Sequence, residues 1–471
     1  MKITGYKIDH INADMLTPIA VFNRIQGRKK FLLESSLKHE ENGRYSFIGM
    51  NPYMEFIARG SHVAIINQQK EVMKEETGKP LELLKKYIPG EELSILNIPF
   101  IGGAVGYIGY DAIREYENIG EVINDEVEMP DIHFMFYQDI LVFDHLAQMI
   151  SIIALNLNES RTDQELVKSI TDLKAFITES HSEIALELEA SNVSFTPLMK
   201  KEEFMKLVEV AKEHILQGDI FQLVLSQRMI GNIDHDSFQF YRKLRNANPS
   251  PYMFYLDFED YVVLGASPES LIKTKGKQLI TNPIAGTRPR GNTKAHDQTL
   301  ENELLSDEKE LAEHQMLVDL SRNDIGKICE PGSISIPKYM IVERYQHVMH
   351  IVSEVKGTMR AEFSGIDALI ACLPAGTVSG APKIRAMQII NDLEKRKRGV
   401  YAGAIGYINV NGDLDFALAI RTLVIKNGKA ILQAGAGIVY DSDPEKEYEE
   451  TLNKAKSLLE VNNHDYLARQ L

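Results

Sequence analysis

Two Asn-Gly dipeptides near the end of the 471-residue chain, Asn411-Gly412 and Asn427-Gly428, constrain its fold more than any other feature. Each lies between apolar runs. Asn and Gly tolerate the positive φ angles of a two-residue hairpin turn, so the dipeptide marks antiparallel pairing of the flanking strands. Two such turns predict a three-stranded meander. In that register Arg421 stands opposite Ala402 on one side and Ala434 on the other, with Ala417 and Ala419 on its own face. A guanidinium above a floor of alanines leaves room for an anionic ligand. Gly435-Ala436-Gly437 follows, where side chains do not obstruct the backbone N–H groups. Strict alternation turns the Tyr401 ring to the opposite face, and a one-residue bulge at the strand end would bring it round.

Residues 1–155 read as short strands with turns, among them Ser46–Gly49, His62–Ile66 and Ile140–Phe143, interrupted by a helix near Leu81–Tyr87. Over residues 163–178 the spacing of Leu166, Ile170, Leu173 and Ile177 predicts an amphipathic helix. The weakly periodic stretch Glu179 to Pro197 reads as a linker. This gives an N-terminal portion (1–155), a helix and acidic linker (156–197) and a C-terminal portion (198–471). The last opens with a helix over Lys201–Gln217, burying Phe204, Leu207, Val208, Ala211 and Ile215 and ended by Gly218-Asp219. Strands are expected at Phe221–Gln227, Met253–Phe258 and Tyr261–Ala266, and a helix over Asp307–Leu320. Asp443-Pro444 reads as N-cap and first turn of a final helix. Its buried stripe is Tyr448, Leu452, Ala455 and Leu459.

With 67 acidic and 52 basic residues the net charge is −15. That argues against a nucleic-acid or anionic-membrane partner, either of which needs a basic surface. An anionic small substrate would have to be neutralised locally. The two cysteines, Cys329 and Cys372, have no metal-binding spacing, which fits a reduced cytoplasmic protein. Asp9 and Asp14 interrupt the N-terminus where a secretory signal would be apolar. The most hydrophobic stretch, Phe134 to Leu155, is broken by Gln138, Asp139, Asp144 and His145, so no membrane span is expected.

Two Glu-x-x-Glu pairs carry the first chemical signal: Glu310/Glu313 and Glu447/Glu450. Residues at i and i+3 meet on one helical face. The line Glu310, Glu313, Leu317, Leu320 continues an apolar stripe, so the first pair points to the rim of the core. Four carboxylates brought together would repel one another unless solvent, basic groups or a hard cation such as Mg²⁺ met them. The plainer alternative is a pair of solvated faces, and Glu450 with Lys454 has the i,i+4 spacing of a surface ion pair.

Longer strings accompany these pieces: Thr281 to Gly291 (TNPIAGTRPRG), Val318 to Asp324 (VDLSRND), Gly376 to Lys383 (GTVSGAPK) and Gly435 to Val439 (GAGIV). Gly376 to Lys383 lacks the spacing of a phosphate loop and has Pro382 before the lysine, so it reads as a substrate loop entering a helix. Together the strings resemble the chorismate-utilising enzymes over almost the whole chain, and among them the anthranilate synthases. The resemblance implies an α+β fold with two large antiparallel β-sheets packed face to face and helices on the outside. It also implies an activity. Ammonia adds at C2 of chorismate as the C4 hydroxyl leaves, and pyruvate is then eliminated, with Mg²⁺ on the ring carboxylate as a Lewis acid.

Position by position, the resemblance makes Glu313 and Glu450 the Mg²⁺ ligands, supported by Glu310 and Glu447. Gly286, Thr287, Tyr401, Arg421, Gly435, Ala436 and Gly437 become chorismate-binding. His350 and Thr377 become catalytic, although by its residues alone His350, three places after His347, reads as a structural histidine on a helix. Gln222 and Ala285 stand where sister enzymes carry lysines that activate water or attack C4, which leaves ammonia as the nucleophile. Neither cysteine has a glutaminase setting, so a separate glutamine amidotransferase subunit is implied, in a heterotetramer. Ser35, Pro251, Tyr252 and Met253 resemble a tryptophan feedback site of such enzymes, which make the first intermediate of tryptophan biosynthesis. The alternatives are an aminodeoxychorismate synthase component and a catalytically silent tryptophan sensor.

Overall fold

The computed structural model describes residues 2–35, 43–90, 98–121, 124–178, 193–233, 236–345 and 348–459. Two antiparallel sheets dominate it, each a path of 11 strands with a twelfth off the path, Gly380–Ala381 beside Gln222–Asn232 in the first and Ser335–Arg344 beside Val348–Thr358 in the second. In order of hydrogen-bonded neighbours, the first runs Ile3–Asn12, Met149–Leu157, Asp139–Asp144, Tyr45–Gly49, Phe31–Glu34, Tyr252–Asp257, Tyr261–Ser267, Thr422–Lys426, Lys429–Ile438, Gln222–Asn232 and Phe195–Pro197. The second runs Ile284–Pro289, Val348–Thr358, Gln278–Thr281, Ser270–Lys275, Leu414–Leu418, Ala404–Asn409, Gly103–Ile108, Ile132–Tyr137, Met54–Arg59, His62–Asn67 and Val72–Thr77. Strands from residues 1–155 and from 198–471 thus enter both sheets.

The sheets face each other across one aromatic-rich layer that includes Phe31, Phe47, Phe100, Tyr107, Tyr137, Phe254 and Tyr407. Successive strand residues point to opposite faces. Phe254 and Leu256 therefore enter this layer, while Met253 and Tyr255 enter the outer core beneath the helices Pro18–Arg24, Asp163–Thr178 and Ser237–Ala247. Both faces being covered explains runs such as Ile132–Tyr137, which is buried at every position. The expected α+β architecture is the one observed.

The amphipathic reading of residues 163–178 holds residue by residue, with Leu166, Ile170, Leu173 and Ile177 buried. The final helix spans Pro444–Leu459, and Asp443 accepts the Lys446 N–H at 3.0 Å as its cap. The expected linker ends in regular structure. Residues 179–192 and His347 lie outside the described residues, but Phe195–Pro197 is a strand paired with Met229–Gly231.

The three-stranded meander does not form. Asn427 (φ 52°) and Gly428 (φ 71°) make the expected two-residue turn between Lys426 and Lys429. At the first dipeptide the pairing is shifted by one, with Ile405 opposite Ala417 and Ile408 opposite Leu414. Val410 is fully buried there and draws an extra residue into the loop, which the Asn411 carboxamide closes by accepting the Asp413 N–H at 3.0 Å. More important, Leu414–Leu418 belongs to the second sheet and Thr422–Lys426 to the first. The chain crosses between sheets at Ala419-Ile420-Arg421, and Arg421 takes a left-handed conformation (φ 48°) at the crossing. Ala402 therefore faces Ala419, whose carbonyl accepts its N–H at 2.9 Å, and not Arg421.

Candidate active site

The crossing creates the site. Thr422–Lys426 pairs with Lys429–Ile438 only from Leu423 opposite Leu432 to Lys426 opposite Lys429. Beyond Leu432, that edge of the long strand is uncovered, while its other edge stays paired with Gln222–Asn232. The notch opens into a cavity of about 550 Å³. Its walls are the notch, the strand Ile284–Pro289 of the second sheet, the loops at Glu269 and Thr377, and the helices Glu308–Gly326 and Pro444–Leu459. It is large enough for a drug-sized metabolite.

Most of the expected residues meet there. Gly286, Thr287, Glu310, Glu313, Thr377, Tyr401, Arg421, Gly435, Gly437, Glu447 and Glu450 all line the cavity, as do Gln222 and Ala285. Ala436 does not. Alternation turns its methyl into the core with Leu223 and Leu225, so the contribution of this segment falls to its glycines. The Gly435 carbonyl accepts from Lys454 at 3.0 Å on the uncovered edge. A Cβ on Gly437 would sit 2.6 Å from Gln222 Nε2, so only glycine leaves the Gln222 carboxamide its place. Tyr401 needs no strand bulge. It lies in a turn before the strand, where Gly403 N–H bonds to the Val400 carbonyl and Ala402 has φ 64°.

His350 corrects one expectation, since it sits on the strand Val348–Thr358 and not on a helix; it meets the cavity through Gly286 and Thr287, which line it. Gly286 explains its position. The pairing of Ile284–Pro289 slips between Ala285 and Thr287, and Gly286 (φ 67°) is the extra residue of that bulge. This turns its carbonyl to accept from His350 Nδ1 at 2.9 Å, which fixes the proton on Nδ1 and leaves Nε2 basic. Burial and the nearby Arg421 charge lower the His350 pKa, so the ring is neutral near pH 7.

Arg421 is half-buried, and its guanidinium makes no hydrogen bond or ion pair with any described residue. Burial alone works against its charge. Desolvating an unpaired guanidinium is costly, and a carboxylate ligand with its matching fork relieves that cost. The acidic side is organised differently. Burial, then the like charge of Glu310, raises the Glu313 pKa. Burial raises that of Glu447, with Glu450 as a further like charge. Glu310 is met by Arg288 at 3.3 Å and Glu450 by Lys454 at 2.7 Å, the surface-type pair its spacing suggested. Among the described residues no three acidic, histidine or cysteine groups converge closely enough to cage a metal. The donors nevertheless fit Mg²⁺, which favours one or two carboxylates and completes its octahedron with water and substrate oxygens.

One residue that sequence reasoning missed stands out. Glu269 follows the strand Tyr261–Ser267 and lines the cavity, where burial pushes its carboxyl up to about pKa 7. Thr377 donates to it at 3.0 Å. A carboxyl that holds its proton near neutrality is suited to general acid catalysis. The only trace in the sequence is the Pro268-Glu269 step between two strands.

At the residues expected to bind tryptophan, Glu34 pairs with Met253 across neighbouring strands, which sets Ser35 beside Tyr252 and Pro251. Tyr252 donates to Asp415 at 2.9 Å across the two sheets, and Met253 is buried in the outer core.

A family profile described as chorismate binding enzyme matches residues 29–460. The chain belongs to the chorismate-binding enzymes. It is 46% identical over 462 residues to anthranilate synthase component 1 of Lactococcus lactis, covering 97% of this chain and 99% of that one. It is 42% identical to anthranilate synthase component 1 of Aquifex aeolicus, covering 95% and 92%. The crystal structure of anthranilate synthase component I from Streptococcus pneumoniae superposes with a TM-score of 0.83 at 43% identity, covering 95% of this chain and 99% of that one. The menaquinone-specific isochorismate synthase of Escherichia coli shares the fold (TM-score 0.73) at 19% identity, covering 98% and 96%.

Proposed function

We propose that this chorismate-binding enzyme is the aminating subunit of an anthranilate synthase, converting chorismate and ammonia to anthranilate and pyruvate. The observation that carries the reading is the Arg421 guanidinium, unpartnered among the described residues, in a cavity that four glutamates of the two helices also line. A dicarboxylate substrate suits that polarity, with one carboxylate on Arg421 and the other near the glutamates. Glu313 and Glu450, with Glu310 and Glu447 in support, would hold Mg²⁺, which would supply Lewis-acid polarisation of the ring carboxylate. Glu269 gives its proton to the departing C4 hydroxyl, and Thr377 fixes the carboxyl for that transfer. His350, reaching the cavity through Gly286 and Thr287, holds the substrate side of that strand in place and offers Nε2 as a base for pyruvate elimination.

The nitrogen comes from a partner amidotransferase. Both cysteines here are buried, and burial raises both thiol pKa values, Cys372 to about 12, so neither suits nucleophilic release of ammonia. Their reduced state suits the cytoplasm, and no helix among the described residues is long and apolar enough to cross a membrane. Chorismate, Mg²⁺ and ammonium supplied to the purified chain at mildly alkaline pH are expected to give anthranilate fluorescence. Formation of 4-amino-4-deoxychorismate in its place would overturn the reading.

Ser35 with Pro251, Tyr252 and Met253 is the proposed tryptophan site. Tryptophan and chorismate would each weaken the binding of the other, as linkage requires. Removing one ligand hydrogen bond in Ser35→Ala is expected to raise the half-inhibitory tryptophan concentration about tenfold and to spare turnover. Unchanged inhibition would remove Ser35 from the site.

A further inference from the structure

Behind the cavity wall lies an ion pair that the chemistry above does not use. Arg398 is 3% exposed and Glu394 4%. The Arg398 fork is almost fully committed: Nε and Nη2 donate to Glu394 at 2.9 and 2.6 Å, Nη1 to the Val378 carbonyl at 2.7 Å, and Nη2 to the Val224 carbonyl at 2.7 Å. Its guanidinium carbon also lies 4.7 Å from the centre of the Tyr110 ring and 5.6 Å from that of Tyr401. Glu394 in turn accepts the N–H and the hydroxyl of Ser226, both at 2.8 Å. The Ser226 hydroxyl accepts from Gln433 at 2.8 Å.

Four of the residues in this network share one property. Val224, Val378, Tyr401 and Gln433 all line the substrate cavity, whereas neither Arg398 nor Glu394 does. They come from the strand Gln222–Asn232, the loop Gly376–Val378, the turn before Ala404 and the strand Lys429–Ile438. A buried ion pair is weak grounds for stability, since an apolar pair of equal shape is often as stable. Its fixed, multidirectional hydrogen bonding does define where four separate segments sit. The contact that matters most is Val378, because Thr377, the residue before it, holds Glu269.

We propose that Arg398, anchored by Glu394, is a positioning residue that sets the Thr377 loop against Glu269 and the Tyr401 ring against the Gly435 strand. The proposal rests on the roles given above to Glu269 and Thr377. A lysine keeps the charge for Glu394, but as a compact point charge it does not reproduce the planar fork that reaches two carbonyls and a carboxylate together.

The test follows chorismate consumption by absorbance in wild type, Arg398→Lys, Thr377→Val and the double variant, with product identity recorded separately. Misplacement of catalytic groups by about 1 Å costs on the order of 10²-fold, so Arg398→Lys is expected to lose that much kcat with little change in KM for chorismate. The double variant is expected to be no slower than the slower single one, because both changes break the same chain of contacts. Wild-type kcat in Arg398→Lys, or single losses that multiply in the double variant, would overturn the proposal. Should Arg398→Lys fail to fold, the double replacement Arg398→Met with Glu394→Leu removes both charges together. It is expected to fold with kcat reduced to a similar degree, and wild-type kcat there would equally overturn it. A wild-type product other than anthranilate would count against the proposed function alone, since the comparison of rates is unaffected.

Discussion

Glu269→Gln is expected to lower kcat by roughly 10²–10⁴-fold, the usual contribution of a general acid, while chorismate still binds with nearly unchanged KM. Gln is isosteric and its carbonyl still accepts from Thr377, so the cavity wall stays in place and only the transferable proton is lost. The sign of the pH dependence follows from the same group. Burial places the carboxyl pKa at about 7, so the proton is present below that pH and lost above it. Rate expressed per free NH₃, which removes the titration of ammonium, is expected to fall as pH rises through about 7 and to flatten in the Gln variant. The Thr377 hydrogen bond favours the charged form, so Thr377→Val is expected to move this limb to higher pH. A buried glutamate with no catalytic part would give the opposite result. Glu269→Gln would then be fully active and, relieved of a desolvated carboxyl, at least as stable as wild type.

Local pattern and long-range assembly separate what the sequence showed from what it hid. The helix of residues 163–178 was legible because one apolar stripe specifies both its existence and its buried face. The Asn427-Gly428 turn was legible because its chemistry admits one geometry. The Ala419–Arg421 crossing was not: turn chemistry says that two strands are antiparallel and nearby, but not which sheet the next strand joins. The crossing takes Arg421 out of the middle of a strand and puts it at the notch, where it still faces the ligand space with Ala434 and Gly435. Glu269 was hidden for a related reason. Its carboxyl is unusual only because burial and Thr377, far along the chain, act on it. Arg398 and Glu394 were equally silent, as an i,i+4 acid–base pair reads as surface until the packing around it is known.

The glutamates carry the other large effect. Glu313→Gln and Glu450→Gln are each expected to reduce kcat/KM by roughly 10²–10⁴-fold, the loss of about 3–5 kcal/mol of metal-supplied stabilisation, without loss of fold. The two should differ before any substrate is added. Glu450 is half-exposed and already paired with Lys454, so its replacement breaks one exposed ion pair at little cost and leaves Lys454 on the Gly435 carbonyl. Glu313 is more deeply set, meets Gln222 at 3.5 Å and is repelled by Glu310. Because its folded-state pKa is raised, its stability contribution is fully present below the unfolded value and is lost as pH rises through the folded one. Once pH has passed that range Glu313 is therefore a burden on the metal-free protein, and Glu313→Gln is expected there to melt at the same or a higher temperature than wild type. Mg²⁺ reverses the order, since a cation that binds only the folded state raises Tm with its concentration. Wild type is expected to show that rise, and both variants to lose most of it. An undiminished Mg²⁺-dependent Tm rise in Glu313→Gln, or wild-type turnover in either variant at saturating Mg²⁺, would remove that carboxylate from the metal site.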